Sequence, residues 1–145
     1  QKVGQSAAPL FLDRIDIQCE ITPVPFKDIS KAAPGEPSAN IRERVIKARE
    51  IQAARYKDYK GIHCNAQMTE RMIHQFAEPN EAGIDMLRMA MEKLSLSARA
   101  YSRILKVARS IADLEGCEHV ELHHLAEAIG YRALDRGDWA ERGHI

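Results

Sequence analysis

The chain has 145 residues, with 21 basic and 21 acidic side chains, so its formal net charge at neutral pH is zero. This length is enough for one domain with a real core. The balanced charge is unlike that of a free-standing nucleic-acid-binding protein, although local basic patches are compatible with it. Three widely spaced cysteines favour reduced thiols in a cytoplasmic protein over a disulfide framework. No apolar run approaches the ~18 residues of a membrane span, so we expect no membrane partner.

The first patterned segment is residues 15–21, where Ile15, Ile17, Cys19 and Ile21 alternate with polar residues. Strict alternation is typical of a β-strand with one buried face. A lone strand is not stable, so we expect its partners to lie outside this chain. The chain does not begin with Met. We therefore expect it to be a piece of a longer protein that has been cut beside this strand.

Residues 22–37 contain four prolines and a glycine, a density that neither a helix nor a central strand tolerates, and we predict a linker there. The first long helix is predicted from Ser38 to about residue 59. Its apolar spacing is set by Ile41, Val45, Ala48 and Ile51, with Arg55 on the same face. Its other faces are rich in Arg and Lys. That pattern is typical of a solvated face, and the alternative is a surface that follows phosphates.

The remaining helical signals predict an all-α bundle of about five helices over residues 38–136, followed by a tail at 137–145. Thr69 caps one predicted helix, Pro79 and Asn80 separate it from the next, and Gly116 ends a third. The residues expected to face inward on the shorter helices are Met72, Ile73, Phe76, Ile84, Leu87, Met91, Leu94, Leu122, Leu125, Ala126 and Ile129.

The helix predicted over 97–114 has the clearest two-sided pattern in the chain. Its apolar side carries Tyr101, Ile104, Leu105, Ala108, Ile111 and Ala112, and its opposite side carries Arg99, Arg103, Lys106 and Ser110. Ser97 is a good N-cap, which places Arg99 in the first turn, where the positive end of the helix dipole disfavours a cation. An anion bound at the helix start would make that placement favourable. The alternative is a solvated arginine whose stem lies on the surface.

Two kinds of site are not indicated by the sequence. There is no Gly-x-x-x-x-Gly-Lys-Ser/Thr loop and no acidic residue in a Walker B strand, so this chain alone is not expected to bind or hydrolyse ATP. The His and Cys residues at 63–64, 117–119 and 123–124 fit no common zinc spacing, and adjacent histidines on a helix are expected to point apart. We therefore expect no metal site.

Several phrases carry a family resemblance, beginning with Leu-Ser-Ala-Arg-Ala-Tyr at 96–101 and Arg-Ile-Leu-Lys-Val-Ala-Arg at 103–109. The others are Ile-Ala-Asp-Leu at 111–114, Asn-Ala-Gln-Met at 65–68 and Leu-Asp-Arg-Ile-Asp at 12–16. Together they resemble the C-terminal domain of the magnesium-chelatase-like AAA+ ATPases, in particular the ComM/YifB branch, which is linked to natural transformation.

The resemblance implies roles for three arginines. Arg99 matches the sensor 2 residue, which reaches from the lid domain to the nucleotide phosphates, and Arg103 is implied as a second nucleotide contact. Arg14 matches an arginine that acts on the ATP of a neighbouring subunit. However, residues 6–12 depart from the family's Ser-Gly-Pro-Leu-Leu pattern, losing the glycine and gaining one residue. For Arg14, pairing with Asp13 or Asp16 at a strand start is therefore an equal alternative.

The same resemblance implies a domain organisation and partners. Residues 1–21 would end the nucleotide-binding core, 22–37 would link it to a helical lid at 38–136, and the full protein would be a ring, a hexamer by analogy, using ATP and Mg²⁺. DNA is a further candidate partner, and no cofactor is expected in this piece alone. Two alternatives remain from other classes: a free-standing DNA-binding helical module that uses the basic faces, and a purely structural oligomerisation domain.

Overall fold

A computed structural model describes residues 14–132, and within that range the chain is mainly α-helical, as the sequence predicts. The elements are α1 Phe26–Ile29, α2 Ser38–Tyr56, a 3₁₀ turn Asn65–Gln67, α3 Glu70–Phe76, α4 Glu81–Lys93, α5 Ala98–Glu115 and α6 Leu122–Gly130. Within this described part, no helix has the length and apolar character needed to cross a membrane. The end of the predicted lid at 133–136, the predicted tail at 137–145 and the first 13 residues lie outside the described range.

The strand predicted at 15–21 is not formed within the described part of the chain. The segment instead rests against the end of α6: the Gln18 N–H donates to the Tyr131 carbonyl at 2.9 Å, and Arg132 Nη1 donates to the Ile15 carbonyl at 2.8 Å. Ile21 is 92% exposed. A strand needs a neighbour to complete its hydrogen-bond ladder, and none of the described elements supplies one.

Helix α2 begins at Ser38 as predicted but ends at Tyr56, and only its second half is buried. The buried residues are Ala48, Gln52 and Tyr56, whereas Ile41 and Val45 are 43% and 44% exposed. Ile41 and Val45, which set the predicted apolar spacing together with Ala48, are therefore not buried. The reason is that α5 contacts the second half of the helix, and no described element covers the first half.

The predicted caps of the later helices are confirmed. Thr69, Asn80 and Ser97 each accept a hydrogen bond from a backbone N–H of the following first turn, at 3.4, 2.9 and 3.2 Å. Gly116 closes α5 with a positive φ of 77°, a conformation that favours glycine. The starts of these helices can be predicted because each cap joins residues that are close together in the sequence.

Helix α5 is the centre of the core and contacts α2, α3, α6 and the 3₁₀ turn. Its predicted inward residues Ile104, Leu105, Ala108 and Ala112 are each at most 1% exposed. Around them pack buried residues from every other helix except α1, among them Tyr56, Met72, Ile73, Leu87, Leu125 and Ala128. On α4, Leu87 is buried as predicted, but Ile84 is 43% exposed, so its predicted inward position is wrong.

A buried carboxylate, Asp113, holds the polar part of this core. Arg55 of α2 meets it in a two-pronged contact, with Nη2 to Oδ1 at 2.6 Å and Nη1 to Oδ2 at 2.8 Å. Asn65 in the 3₁₀ turn donates Nδ2 to Oδ2 at 2.8 Å, and Arg109 donates Nε to Oδ1 at 3.2 Å. One carboxylate thus joins α2, the turn and α5, and the hydrogen bond to Asp113 raises the pKa of Arg55.

Arg109 is only 2% exposed and connects α5 to the end of α3 and to the loop that follows α5. Its guanidinium donates to the carbonyls of Phe76 at 3.2 Å, Cys117 at 2.6 Å and Glu118 at 2.8 Å. Burial lowers the pKa of Arg109, and the nearby Asp113 carboxylate opposes that shift. Asp113 therefore supplies the counter-charge of the buried guanidinium, and the carbonyls accept its remaining hydrogen bonds.

We expect the substitution Asp113→Asn to lower the free energy of unfolding by about 3–5 kcal/mol, because it leaves the buried Arg109 and the partly buried Arg55 without their counter-charge. Glu43→Gln is the matched control: Glu43 pairs with Lys47 at 3.2 Å on an exposed face of α2, and such pairs contribute at most about 1 kcal/mol. Urea unfolding followed by circular dichroism measures both. A loss under 1 kcal/mol for Asp113→Asn would contradict the role given to this carboxylate.

Gly83 on α4 is needed because the helix approaches its neighbours closely there. A Cβ at this position would lie 2.6 Å from Pro79 Cβ and 2.8 Å from Leu125 Cδ1. We expect Gly83→Ala to destabilise the fold by about 1–3 kcal/mol through overpacking. Gly130→Ala in α6, where a Cβ meets nothing within 4 Å, should be neutral or stabilising. Thermal unfolding of the two variants compares them, and equal melting temperatures would show that α4 can shift without cost.

Candidate functional site

Arg99 lies in the first turn of α5, as the sequence predicts. Ser97 is the N-cap, Ala98 is the first helical residue, and the Arg99 side chain is exposed. Among residues 14–132 it has no hydrogen-bonding or ion-pair partner. A cation at the positive end of a helix dipole is mildly unfavourable, so Arg99 has an electrostatic reason to take an anionic ligand.

Arg99 and Arg103 line the same open cleft, of about 650 Å³, together with Lys106. The three cations share it because they are spaced at i, i+4 and i+7 on α5 and so project from one side of the helix. The cleft also contains two carboxylates, Asp16 and Glu70. It is therefore a mixed-charge cleft with an excess of one positive charge.

Arg99 differs from the other two cations of the cleft in its hydrogen-bonding partners. Arg103 Nη1 contacts Asp16 Oδ1 at 2.6 Å, and Lys106 Nζ donates to the Ala66 carbonyl at 3.1 Å. Glu70 accepts from the Ser102 hydroxyl at 2.8 Å. Arg99 is thus the cation whose donors are free within the described part, whereas Arg103 reaches a ligand only by exchanging Asp16 for it.

Arg14, the third candidate, is exposed and does not line this cleft. Asp16 pairs with Arg103 and not with Arg14, so the alternative in which Arg14 caps a strand start by pairing with Asp16 is wrong. Asp13, the other proposed partner, lies outside the described residues. The structure therefore brings together two of the three arginines.

Sequence reasoning missed the buried polar cluster that supports α5 from behind. Arg55 lies on the predicted apolar face of its helix, and that position is the signal that could have revealed an ion pair in the core. The i,i+4 spacing of Arg109 and Asp113 is the second signal, because both residues lie on the inner side of α5. Asn65 gave no signal, since its role depends on the fold of a loop.

A second cluster joins the end of α5 to the start of α6. Glu115 Oε2 lies 2.8 Å from His123 Nε2 and 2.5 Å from His124 Nε2, and the two imidazole rings are 3.9 Å apart between centroids. The expectation that these adjacent histidines point apart is wrong, because both lie in the first turn of α6 facing the end of α5. Hydrogen bonds from His123 and then His124 lower the pKa of Glu115.

The proton positions of His124 argue against a three-ligand metal site here. The Glu121 backbone N–H donates to His124 Nδ1 at 2.9 Å, so Nδ1 has no proton and the neutral ring carries it on Nε2. His124 Nε2 therefore donates to Glu115 and offers no lone pair to a metal. Although the three groups lie close enough to share an ion, the arrangement works as a cap that fixes α6 on α5.

Comparison with known proteins gives a family match and several relatives. Residues 35–132 match the family model described as magnesium chelatase, subunit ChlI C-terminal. Over 127 residues the chain is 42% identical to the competence protein ComM of Haemophilus influenzae and 40% identical to the uncharacterized protein YifB of Salmonella typhimurium. Both alignments cover 87% of this chain and 24% of the relative. The chain thus spans about a quarter of the length of these curated relatives.

The two adjacent histidines provide a matched test of the α5–α6 cap. His124 is fully buried with both ring nitrogens hydrogen-bonded, whereas the His123 side chain is 59% exposed. We expect His124→Ala to lower the free energy of unfolding by about 2–4 kcal/mol, and His123→Ala to change it by less than about 0.5 kcal/mol. Denaturant unfolding at pH 7.5 measures the difference, and equal losses would refute the capping role.

Proposed function

Because the chain belongs to the family of the magnesium chelatase subunit ChlI C-terminal region, we propose that it is the helical lid of a longer AAA+ ATPase. In this proposal Arg99 is the sensor 2 residue that binds the phosphates of ATP. The observation that carries it is the exposed position of Arg99 in the first turn of α5, with no partner among residues 14–132 and a cleft in front of it.

In this proposal Arg99 only donates hydrogen bonds to phosphate oxygens, a role that its position on the helix suits. ATP with Mg²⁺ would be held by the nucleotide-binding part of the longer protein, and the lid would add donors to the phosphates. A guanidinium on a capped helix is already oriented, and the free N–H groups at the helix start favour the same anion. Such a preorganised donor stabilises the negative charge that develops on the phosphates during hydrolysis.

Arg103 has a second part in this proposal. Its contact with Asp16 holds the guanidinium at the edge of the cleft, one turn from Arg99. Approach of phosphates would exchange the carboxylate of Asp16 for phosphate oxygens, freeing segment 14–21 from α5. This exchange would link nucleotide binding to movement of the lid.

For the longer protein we propose a cytoplasmic ring of subunits that hydrolyses ATP, with Arg14 acting on the nucleotide of a neighbour. The exposure of Arg14, and its absence from the residues that line the cleft, support a role between subunits. A relative carries the name competence protein ComM. On that basis we propose DNA handled during transformation as the client of the motor.

The free-standing DNA-binding module is the less supported alternative. The positive charge of Arg99, Arg103 and Lys106 on α5 is partly neutralised by Asp16 and Glu70. On α2 the exposed face includes isoleucine and valine, which contribute nothing to a phosphate contact. A gel shift with duplex and single-stranded DNA over a series of salt concentrations tests this alternative directly.

Arg99→Ala should leave the stability of this chain within about 0.5 kcal/mol of the parent, because the side chain is exposed and unpaired in the described part. In the longer protein it should lower the ATPase rate roughly 10²–10³-fold. Arg71→Ala is the matched control, because Arg71 is also exposed and occupies the same second helical position, on α3.

The measurements are the melting temperature of the chain and steady-state ATP hydrolysis by the longer protein. Loss of several kcal/mol of stability with an unchanged hydrolysis rate would mean that Arg99 is structural. Equal loss of activity in Arg71→Ala would mean that any surface arginine of the lid has this effect.

A further inference from the structure

Helix α2 carries one continuous stripe that is buried at one end and exposed at the other. Ala48, Gln52 and Tyr56 are 5%, 7% and 2% exposed, whereas Val45 and Ile41, one and two turns earlier, are 44% and 43% exposed. All five lie on the same side of the helix by their spacing. The side of α2 that packs on the bundle in its second half therefore extends into the first half, where no described residue covers it.

The chain just before α2 repeats this pattern. Ile21, Val24, Phe26 and Ile29 are between 61% and 92% exposed, and α1 has no buried residue. A linker that only spans a distance needs no large apolar side chains, and a run of them exposed together marks a contact surface. We call the exposed residues of 21–29 together with Ile41, Val45 and Ile46 the entry surface.

We propose that the entry surface binds the nucleotide-binding part of the same protein, so that α2 is fixed to that part and not free in solvent. This inference rests on the proposed function. The curated relatives are about four times as long as this chain, and the family model that matches it is a C-terminal region. The uncovered part would therefore precede residue 21 and meet these side chains first.

The charges beside the stripe favour that occupant over a second copy of the chain. Arg42 and Arg49 flank Ile41 and Val45 on one side, while Glu43 and Glu50 point away from the stripe. Arg44 lies on the other side, where it pairs with Glu36. Two copies joined at the stripe would bring arginines against arginines. The complementary surface has an apolar centre and an acidic rim.

Hydrogen exchange on the longer protein and on this chain alone tests the proposal. We expect the amides of residues 41–47 to exchange at least about tenfold more slowly in the longer protein, because the contact suppresses opening of the free half of α2. The double variant Ile41→Ser/Val45→Ser should return them to the rate of the isolated chain. The control Ile84→Ser/Met89→Ser changes two residues of α4 that are also exposed, at 43% and 69%, and should leave the rate low.

Three outcomes would overturn the proposal: equal exchange in the two proteins, protection that survives Ile41→Ser/Val45→Ser, and protection of the isolated chain that grows with its concentration. The last would identify a second copy as the occupant. The role of Arg99 is tested separately, by hydrolysis in Arg99→Ala. Slow exchange with unchanged hydrolysis in that variant would leave the contact standing and remove the proposed function.

Discussion

The fold depends on one buried negative charge that two arginines share. Asp113 has a fully buried side chain and contacts Arg55 from α2 and Arg109 from its own helix. Because a lone buried charge is costly, each of these residues needs the others in place, and the elements that carry them must assemble together. Arg109 then extends the constraint to the end of α3 and to the loop after α5 through three backbone carbonyls.

This arrangement holds α5 along its core face and at its C-terminal end. Its core face is fixed by apolar packing, its last turns by Asp113, and its final residue Glu115 by the two histidines of α6. Arg99 lies at the other end, about 24 Å away along the helix axis. The exposed arginine therefore lies on a helix that is fixed along its core face and at its far end, as the phosphate contact that we propose for it requires.

The features that could be predicted from the sequence are those that depend only on neighbouring residues. Caps at Thr69, Asn80 and Ser97 and the apolar period of α5 are written in residues next to one another, and they were predicted correctly. The exposure of Ile41 depends on where α5 stops covering α2, and the pairing of Asp16 with Arg103 joins residues 87 positions apart. Neither can be read from spacing. His123 and His124 were misjudged because the cap that turns them together includes a backbone N–H.

The two ends of the described chain lie side by side. Residues near position 15 and residues at 131–132 are joined by a backbone hydrogen bond and by an arginine that donates to a carbonyl. The helical unit is therefore closed by a contact between its first and last segments, which we call the seam. Both segments belong to the same structural unit. A chimera between relatives that exchanges the bundle from residue 35 onward would separate the two sides of the seam, whereas a junction placed before residue 14 would carry them as one piece.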